Sequence, residues 1–326
     1  INITGNTKTR DFVIRRELNF AEGDPFNRAL VTQGKANIEA LGFFSKVDVS
    51  AQQGSAADKV ILNINVTEQS TGDYGVTAGY DTSSGILGEL SLSERNFLGR
   101  GQFIKASIGA SQTGKSVDFS FTEPYFMGLK MSAGIDAYHH INDETTDNVY
   151  GTTSTGAQLR FGLPVTRDLT ASLFTGIDQT VIVDANSNSS FFSNGQQLNK
   201  AWVGYSLTLD MLDDNKHPTE GLYATLSQQY DGLSYNFIKT EGKARYFMPL
   251  FPDAGLVGSI KGQAGIINTF GASGINPVEA FNYGGTLVRG FQAGNTGPRI
   301  GTQAVGYTEY AGASAEVEFP IPMLPE

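Results

Sequence analysis

The pattern closest to a known ligand signature is Gly109-Ala110-Ser111-Gln112-Thr113-Gly114-Lys115-Ser116, which satisfies the GxxxxGKS spacing of a phosphate-binding loop. That chemistry needs a helix after the lysine, so that N-terminal amides face the phosphate. Here Val117, Phe119 and Phe121 alternate with Asp118, Ser120 and Thr122, a strand pattern, so the match reads as a hairpin turn. The three histidines are His139 and His140 near a strand end and His217 beside Pro218, with no GxSxG elbow and no HExxH pair. Cysteine is absent, which removes thiol catalysis, thiolate metal sites and disulfides. No catalytic residue, metal ligand or cofactor is therefore expected, and the chain reads as a non-enzyme.

A different chemistry is open to Arg289. It lies in Gly284-Gly285-Thr286-Leu287-Val288-Arg289-Gly290-Phe291-Gln292, within a connector of about 35 residues between Asn268 and Thr302, far above the usual connector length. The flanking glycines permit tight turning and close backbone approach. The arginine is either a solvated charge at a loop tip or, if the loop folds back among strands, a guanidinium in need of a carboxylate. A bidentate acid would lock the tip.

The elements that would hold such a loop change character near residue 70. In residues 1–70, Ile1 to Ile3 reads as the tail of a strand, and Thr9 reads as the N-cap of a helix carrying Val13, Ile14 and Leu18 on one face. Asp24-Pro25 starts a second helix, Leu30, Ile38 and Leu41 supply its apolar stripe, and Gly42 ends it. Both helices are expected to run about ten to fifteen residues. Phe44 to Ala51 follows as a strand, then Val60, Leu62, Ile64 and Val66 alternate with polar positions. The order is β-α-α-β-β, a small α+β module whose core suits docking better than buried chemistry.

From Tyr74 onward the pattern is repeated strands with one apolar and one polar face. Ile104, Ala106, Ile108 and Ala110 alternate with Lys105, Ser107, Gly109 and Ser111; Leu129, Met131, Ala133, Ile135 and Ala137 alternate with Lys130, Ser132, Gly134, Asp136 and Tyr138; and one strand presents Lys239, Glu241, Lys243 and Arg245 in succession on its polar face. Charges on one face imply water there, and apolar residues opposite imply lipid or a core. Twelve strands are expected, at 72–82, 86–95, 101–112, 116–123, 128–141, 150–163, 168–182, 198–212, 221–231, 236–248, 254–267 and 303–319. Each is long enough to cross a bilayer at a tilt.

From Glu123 onward every second connector holds proline: Pro124, Pro164, Pro218, Pro249 with Pro252, and Pro320 with Pro322 and Pro325. The others are rich in Gly, Asn, Ser and Asp and are expected to lengthen along the chain. One rim is therefore short-turned, in the periplasmic style, and the other bears outer loops. The front module enters on the short-turn rim. A soluble twelve-stranded sandwich would carry more charge on its outer faces.

Composition agrees: 39 glycines, 11% aromatic and only 17% charged residues. Residues 1–70 are charge-balanced, so the net charge of -10 falls on residues 71–326, which argues against a nucleic-acid partner. The start at Ile1 and the stop at Glu326, inside a short-rim connector, read as the edges of a longer chain.

Three stretches carry a family resemblance. VIRRELNFAEGDPFNRALVTQGKANIEALGFFSKVDV, above all its LGFF run, resembles the last POTRA module of the BamA family, and Val288-Arg289-Gly290-Phe291 resembles the (V/I)RGF motif of BamA-type barrels. SAEVEFPIP, residues 314–322, is similar to the strand that follows in that family.

The resemblance implies a last POTRA module at 1–70 and, at 71–326, an antiparallel transmembrane β-barrel truncated at about twelve of sixteen strands. It implies that the loop enters the lumen and that Arg289 pairs with Glu318, with Glu316 on the same face as the reserve. A second acid would lie beyond Glu326. Glu22 matches the position at which the family's last POTRA meets a lipoprotein resembling BamD; a plain loop glutamate before Gly23 fits the residues equally.

It also implies that the first strand, with Tyr74, Gly75, Val76 and Gly79, is one side of a lateral gate that receives nascent outer-membrane proteins, worked without ATP. That strand looks short of bulky apolar residues, which fits weak closure. Outer-membrane lipid is the remaining partner, with the POTRA module in the periplasm. Related readings are a TamA-like translocation and assembly protein, a two-partner secretion transporter, or a passive porin whose long loop constricts the lumen.

Overall fold

The computed structural model describes residues 1–56, 58–81, 85–143, 150–183, 192–271, 275–283, 297–300 and 303–320. The chain opens with β1 (Asn2–Thr4), α1 (Asp11–Arg15), α2 (Arg28–Ala40), β2 (Phe44–Gln53) and β3 (Val60–Glu68). These form a three-stranded sheet in the order β1-β3-β2, with β1 parallel and β2 antiparallel to the central strand. Its core is Val13, Ile14, Leu18, Ile38, Phe43, Phe44, Val47, Leu62, Ile64 and Val66.

The β-α-α-β-β order holds, with corrections at the helix starts. Thr9 caps nothing. Its amide donates to Glu68 Oε1 at 2.6 Å and its hydroxyl accepts from Asn96 Nδ2, so α1 begins at Asp11 and runs only five residues. The chain then tightens into i→i+3 bonds at Glu17 and Leu18, and Leu18 reaches the core beyond the helix. There Gly34 of α2 admits it: a Cβ on Gly34 would lie 2.9 Å from Leu18 Cδ2.

Asp24 accepts from the Ala21 amide instead of starting α2, and Asn27 is the cap, accepting from Ala29 and Leu30 amides. Leu30 is half-exposed, while Val31 packs on the core; Val60, at the strand's open end, is 47% exposed. Gly42 stands just past the helix at φ 69, as its type requires.

Twelve strands follow as one antiparallel sheet: β4 (Gly72–Asp81), β5 (Gly85–Phe97), β6 (Gln102–Ser111), β7 (Gly114–Glu123), β8 (Ser132–Asn142), β9 (Gly151–Pro164), β10 (Leu169–Val183), β11 (Gln197–Asp210), β12 (Gly221–Leu233), β13 (Phe237–Phe251), β14 (Leu256–Thr269) and, after a short hairpin of β15 (Arg299–Ile300) and β16 (Gln303–Ala304), β17 (Glu309–Glu318). Neighbours in sequence pair antiparallel, with register shifts in β5 between Glu94 and Phe97 and in β13 between Pro249 and Phe251, and β14 pairs with β17 across the long connector. The GxxxxGKS segment is the β6–β7 hairpin, with Ser111 paired to Gly114 across a two-residue turn.

Side chains alternate as the pattern requires. Ile86, Leu90, Leu92, Ile108, Leu173, Ile177 and Val203 stand exposed on the outer face, whereas Asp136, Asp178, Glu241 and Arg245 lie on the inner one. Outer connectors do not lengthen steadily: the one between β12 and β13 is only Ser234–Asn236. Among the described residues, β4 and β17 are the two edges of the sheet and are not paired to each other.

Candidate functional site

The inner face is lined by polar side chains that pair with one another, as a water-facing lumen on a low-dielectric wall demands. Arg160 on β9 forms an ion pair with Asp136 on β8 and reaches Ser120 on β7 at 3.2 Å. Tyr138 donates to Asp178 at 2.9 Å. His140 meets Asp118 at 2.8 Å on this face, whereas His139 meets Thr155 at 2.7 Å on the outer face, so both are tied to the strand framework.

Toward the outer rim this face receives the root of the long loop. Residues 275–283 lie against the inner face of the sheet, across the neighbouring strands β11 to β17. Glu279 accepts from Lys200 Nζ of β11 at 3.1 Å, and Asn276 donates to the Tyr235 hydroxyl at 3.0 Å. Phe281 is 2% exposed, exchanges backbone hydrogen bonds with Tyr307 (2.9 and 2.8 Å), and lies under Lys239 with its ring centre 4.5 Å from Nζ. Tyr283 donates to Glu241 Oε1 at 2.7 Å, and Tyr310 of β17 donates to the same oxygen at 3.0 Å.

Val288, Arg289, Gly290 and Phe291 lie outside the described residues. Their expected partners do not. Glu316 and Glu318 share the face of β17 that carries Tyr310. Arg245 donates to Glu316 at 3.0 Å and to Ser259 at 3.1 Å, so the charge of Glu316 is committed. The Glu318 carboxylate makes no hydrogen bond or ion pair with any described residue, its backbone being paired with Val257 of β14.

The first strand differs from expectation in one respect. Gly75 and Gly79 are on the inner face, where a Cβ on Gly75 would lie 2.6 Å from Ser91 Oγ. The outer face is not short of bulk: Tyr74, Val76 and Tyr80 are 84%, 74% and 74% exposed. One backbone edge of β4 hydrogen-bonds β5 and the other has no partner among the described residues. Unpaired amides and carbonyls at the depth of a bilayer are costly.

The module is bolted to the short-turn rim. Asn96 at the end of β5 donates to Thr9 at 2.9 Å and accepts from the Gly101 amide at 2.8 Å, and the Arg10 amide donates to the Gly99 carbonyl at 2.8 Å. Burial alone would raise the pKa of Glu68, but hydrogen bonds from Thr7, Thr9 and Lys8 outweigh it and hold the carboxyl at about 2. Alongside, Arg16 lies 4.2 Å over the Tyr125 ring in the β7–β8 turn. Burial and the adjacent Glu17 push the Tyr125 hydroxyl up to about 12. Glu22, by contrast, is exposed and pairs with Arg15, which also holds Asp11 at 2.8 Å. Sequence reasoning placed Glu241 on a polar strand face without assigning it a partner, and it passed over Tyr283, Tyr310, Lys200 and Glu279, for which no local pattern gives a signal.

A POTRA family model, described as the surface antigen variable number repeat, matches residues 1–69, and the Omp85 superfamily domain matches residues 96–326. The chain belongs to the Omp85 superfamily. Among relatives in this superfamily, the outer membrane protein assembly factor BamA of Neisseria meningitidis serogroup B is 29% identical over 99% of the chain and 44% of its own length. BamA of Nitratidesulfovibrio vulgaris is 30% identical over 91% of the chain and 38% of its own length. The chain thus spans less than half of these relatives.

Among solved structures, BamA from Haemophilus ducreyi lacking POTRA domains 1–3 superposes with a TM-score of 0.83 at 22% identity, covering 100% of the chain and 68% of that structure. CdiB from Acinetobacter baumannii gives 0.60 at 14% identity, covering 99% and 61%. Both share the fold, and the BamA-family resemblance read from LGFF and VRGF agrees with the sequence relatives.

Proposed function

We propose that this chain is the last POTRA module and the first twelve barrel strands of an outer-membrane protein assembly factor that folds and inserts nascent β-barrel proteins. The observation that carries this reading is the likeness to outer membrane assembly factors along almost the whole chain, with a POTRA module fused to twelve antiparallel strands; in that sheet β4, with a lipid-compatible outer face and a glycine-bearing inner face, is an edge strand among the described residues. Such an edge is a template for an arriving strand, and main-chain pairing supplies affinity without sequence readout. The energy is that of the substrate's own folding, so no nucleotide is required and no covalent step occurs; the chain is not an enzyme.

In this reading β4 is one side of a lateral gate, with Tyr74, Gly75, Val76 and Gly79 along it, and Arg289 seats the long loop against Glu318. The POTRA module stands in the periplasm, and Glu22 offers a carboxylate to a basic group on an accessory lipoprotein resembling BamD, in competition with Arg15. A two-partner secretion role ranks second, since transporters of that kind share the POTRA-and-barrel plan. Identity to BamA proteins along almost the whole chain favours assembly.

The test is reconstitution of the full-length protein in liposomes with an unfolded outer-membrane protein and no nucleotide. Assembly predicts faster appearance of heat-modifiable, protease-resistant substrate barrels than in empty liposomes. Secretion predicts release of a soluble substrate into the vesicle interior with no such gain, and a porin predicts conductance alone.

A further inference from the structure

We infer that Glu241 is a positioning residue that clamps the root of the long outer loop inside the lumen and ties its seat to the edge strand β17. The inference rests on the assembly reading for its purpose, but its geometry stands independently. One carboxylate oxygen accepts from two phenols that belong to different elements: Tyr283 on the loop at 2.7 Å and Tyr310 on β17 at 3.0 Å. The two tyrosine rings also touch, with centres 4.6 Å apart, and Phe281 meets Tyr310 edge-on at 4.7 Å. Loop and strand therefore share one acceptor and one aromatic cluster, packed on Phe237 and Ile267.

Hydrogen bonds to an ionised acceptor are stronger than neutral ones, and inside a protein wall they are screened less than in water. The carboxylate needs donors as much as the phenols need an acceptor, because an unpaired charge there is costly. The Lys200–Glu279 pair pins the same loop segment to β11 on the opposite side of its path. The segment is thus held at Asn276, Glu279 and Tyr283, and the two donors on Glu241 make the loop's seat and the position of β17 one event. Displacing Phe281 and Tyr283 strips Tyr310 of its ring partners, so a shift of the loop root is felt at the strand edge.

Cysteine is absent from residues 1–326, so a single Val278→Cys substitution, in a full-length protein with any cysteine elsewhere replaced by serine, gives a clean reporter within the seated segment. Its labelling by a bulky, membrane-impermeant maleimide is followed in proteoliposomes, with barrel folding checked by heat-modifiable migration. In this background Glu241→Ala and Tyr283→Phe are each expected to speed labelling roughly tenfold, the scale of one lost charge-assisted hydrogen bond. The double variant is expected to add little to either, because both remove the same contact. Glu241→Gln keeps an acceptor oxygen and is expected to stay within about threefold of the parent, whereas Glu241→Leu, which keeps the bulk and loses the acceptor, is expected to label as fast as Glu241→Ala, a split that a merely space-filling role does not explain.

Tyr283→Phe preserves the ring, so its barrel should fold even if Glu241→Ala does not. Parent-rate labelling in a folded Tyr283→Phe protein overturns the clamp, as does full additivity of the two substitutions. Failure of the parent protein to insert substrate would sink the assembly reading while leaving the labelling result intact.

Discussion

The POTRA module and the barrel sheet use the same period-2 alternation to opposite ends. In β3, Leu62, Ile64 and Val66 turn inward and are 6%, 1% and 2% exposed. In β10, Leu173 and Ile177 turn outward and are 62% and 64% exposed, while Asp178 and Thr180 turn inward and are buried. The module is stabilised by removing apolar surface from water. The sheet presents its apolar surface to a solvent that is itself apolar and keeps its charges on the wet side. Strand alternation therefore fixes which residues share a face, and only the charge distribution tells which face is which.

Substitutions at matched positions break this comparison most sharply. Ile64→Ala leaves a cavity in the small core and is expected to cost about 2–5 kcal/mol, read as loss of amide-exchange protection in β1 to β3 while the barrel keeps its heat-modifiable migration. Ile177→Arg, near the middle of β10, is expected to cost about 2–4 kcal/mol in the bilayer, read by denaturant unfolding in liposomes. A silent Ile177→Arg would mean that the outer face meets water.

The two regions meet at glycines of the short-turn rim, which give a smaller contrast. Gly99 and Gly128 both have left-handed backbones, with φ 69 and 75. A Cβ on Gly99 would lie 1.9 Å from the Lys8 carbonyl oxygen, whereas nothing lies within 4 Å of one on Gly128. Both alanine substitutions should cost about 1 kcal/mol for the backbone alone. Gly99→Ala should in addition loosen the module, measured as faster proteolysis between residues 5 and 72; equal sensitivity in both variants would mean that the joint is not docked.

The smallest effect is pH-dependent. The folded-state pKa of Glu68 lies at about 2, below its usual 4.5, so its contribution is complete above the unfolded value and fades as pH falls from about 4.5 toward 2. Amide exchange at Thr7 to Thr9 should quicken across that window, and Glu68→Gln should flatten the dependence.

Much of this architecture is legible in the sequence. All twelve long strands sit within a few residues of where alternation put them, save the last, whose core starts at Glu309 and not 303. Helix starts were not legible, because the group that would cap α1 is used by a residue far along the chain: Thr9 answers Asn96, 87 positions away. The lumen clamp escaped for the same reason. Glu241 could be placed on the polar face, but its donors stand 42 and 69 positions away, and no local pattern links them. The motif was legible by resemblance, and Glu318, its carboxylate free of partners among the described residues, is where a loop arginine could act.

The central claim is that β4 receives the arriving strand. Disulfide trapping tests it directly: single Tyr74→Cys, Val76→Cys and Ala78→Cys variants of the full-length protein, each mixed during insertion with a substrate carrying one thiol along its last strand. Templating predicts adducts in a single antiparallel register, in which moving two residues along β4 requires moving two residues the other way along the substrate. Insertion that proceeds with no register-specific adduct, or with equal trapping by Leu173→Cys and Ile177→Cys on the lipid face of β10, would contradict it.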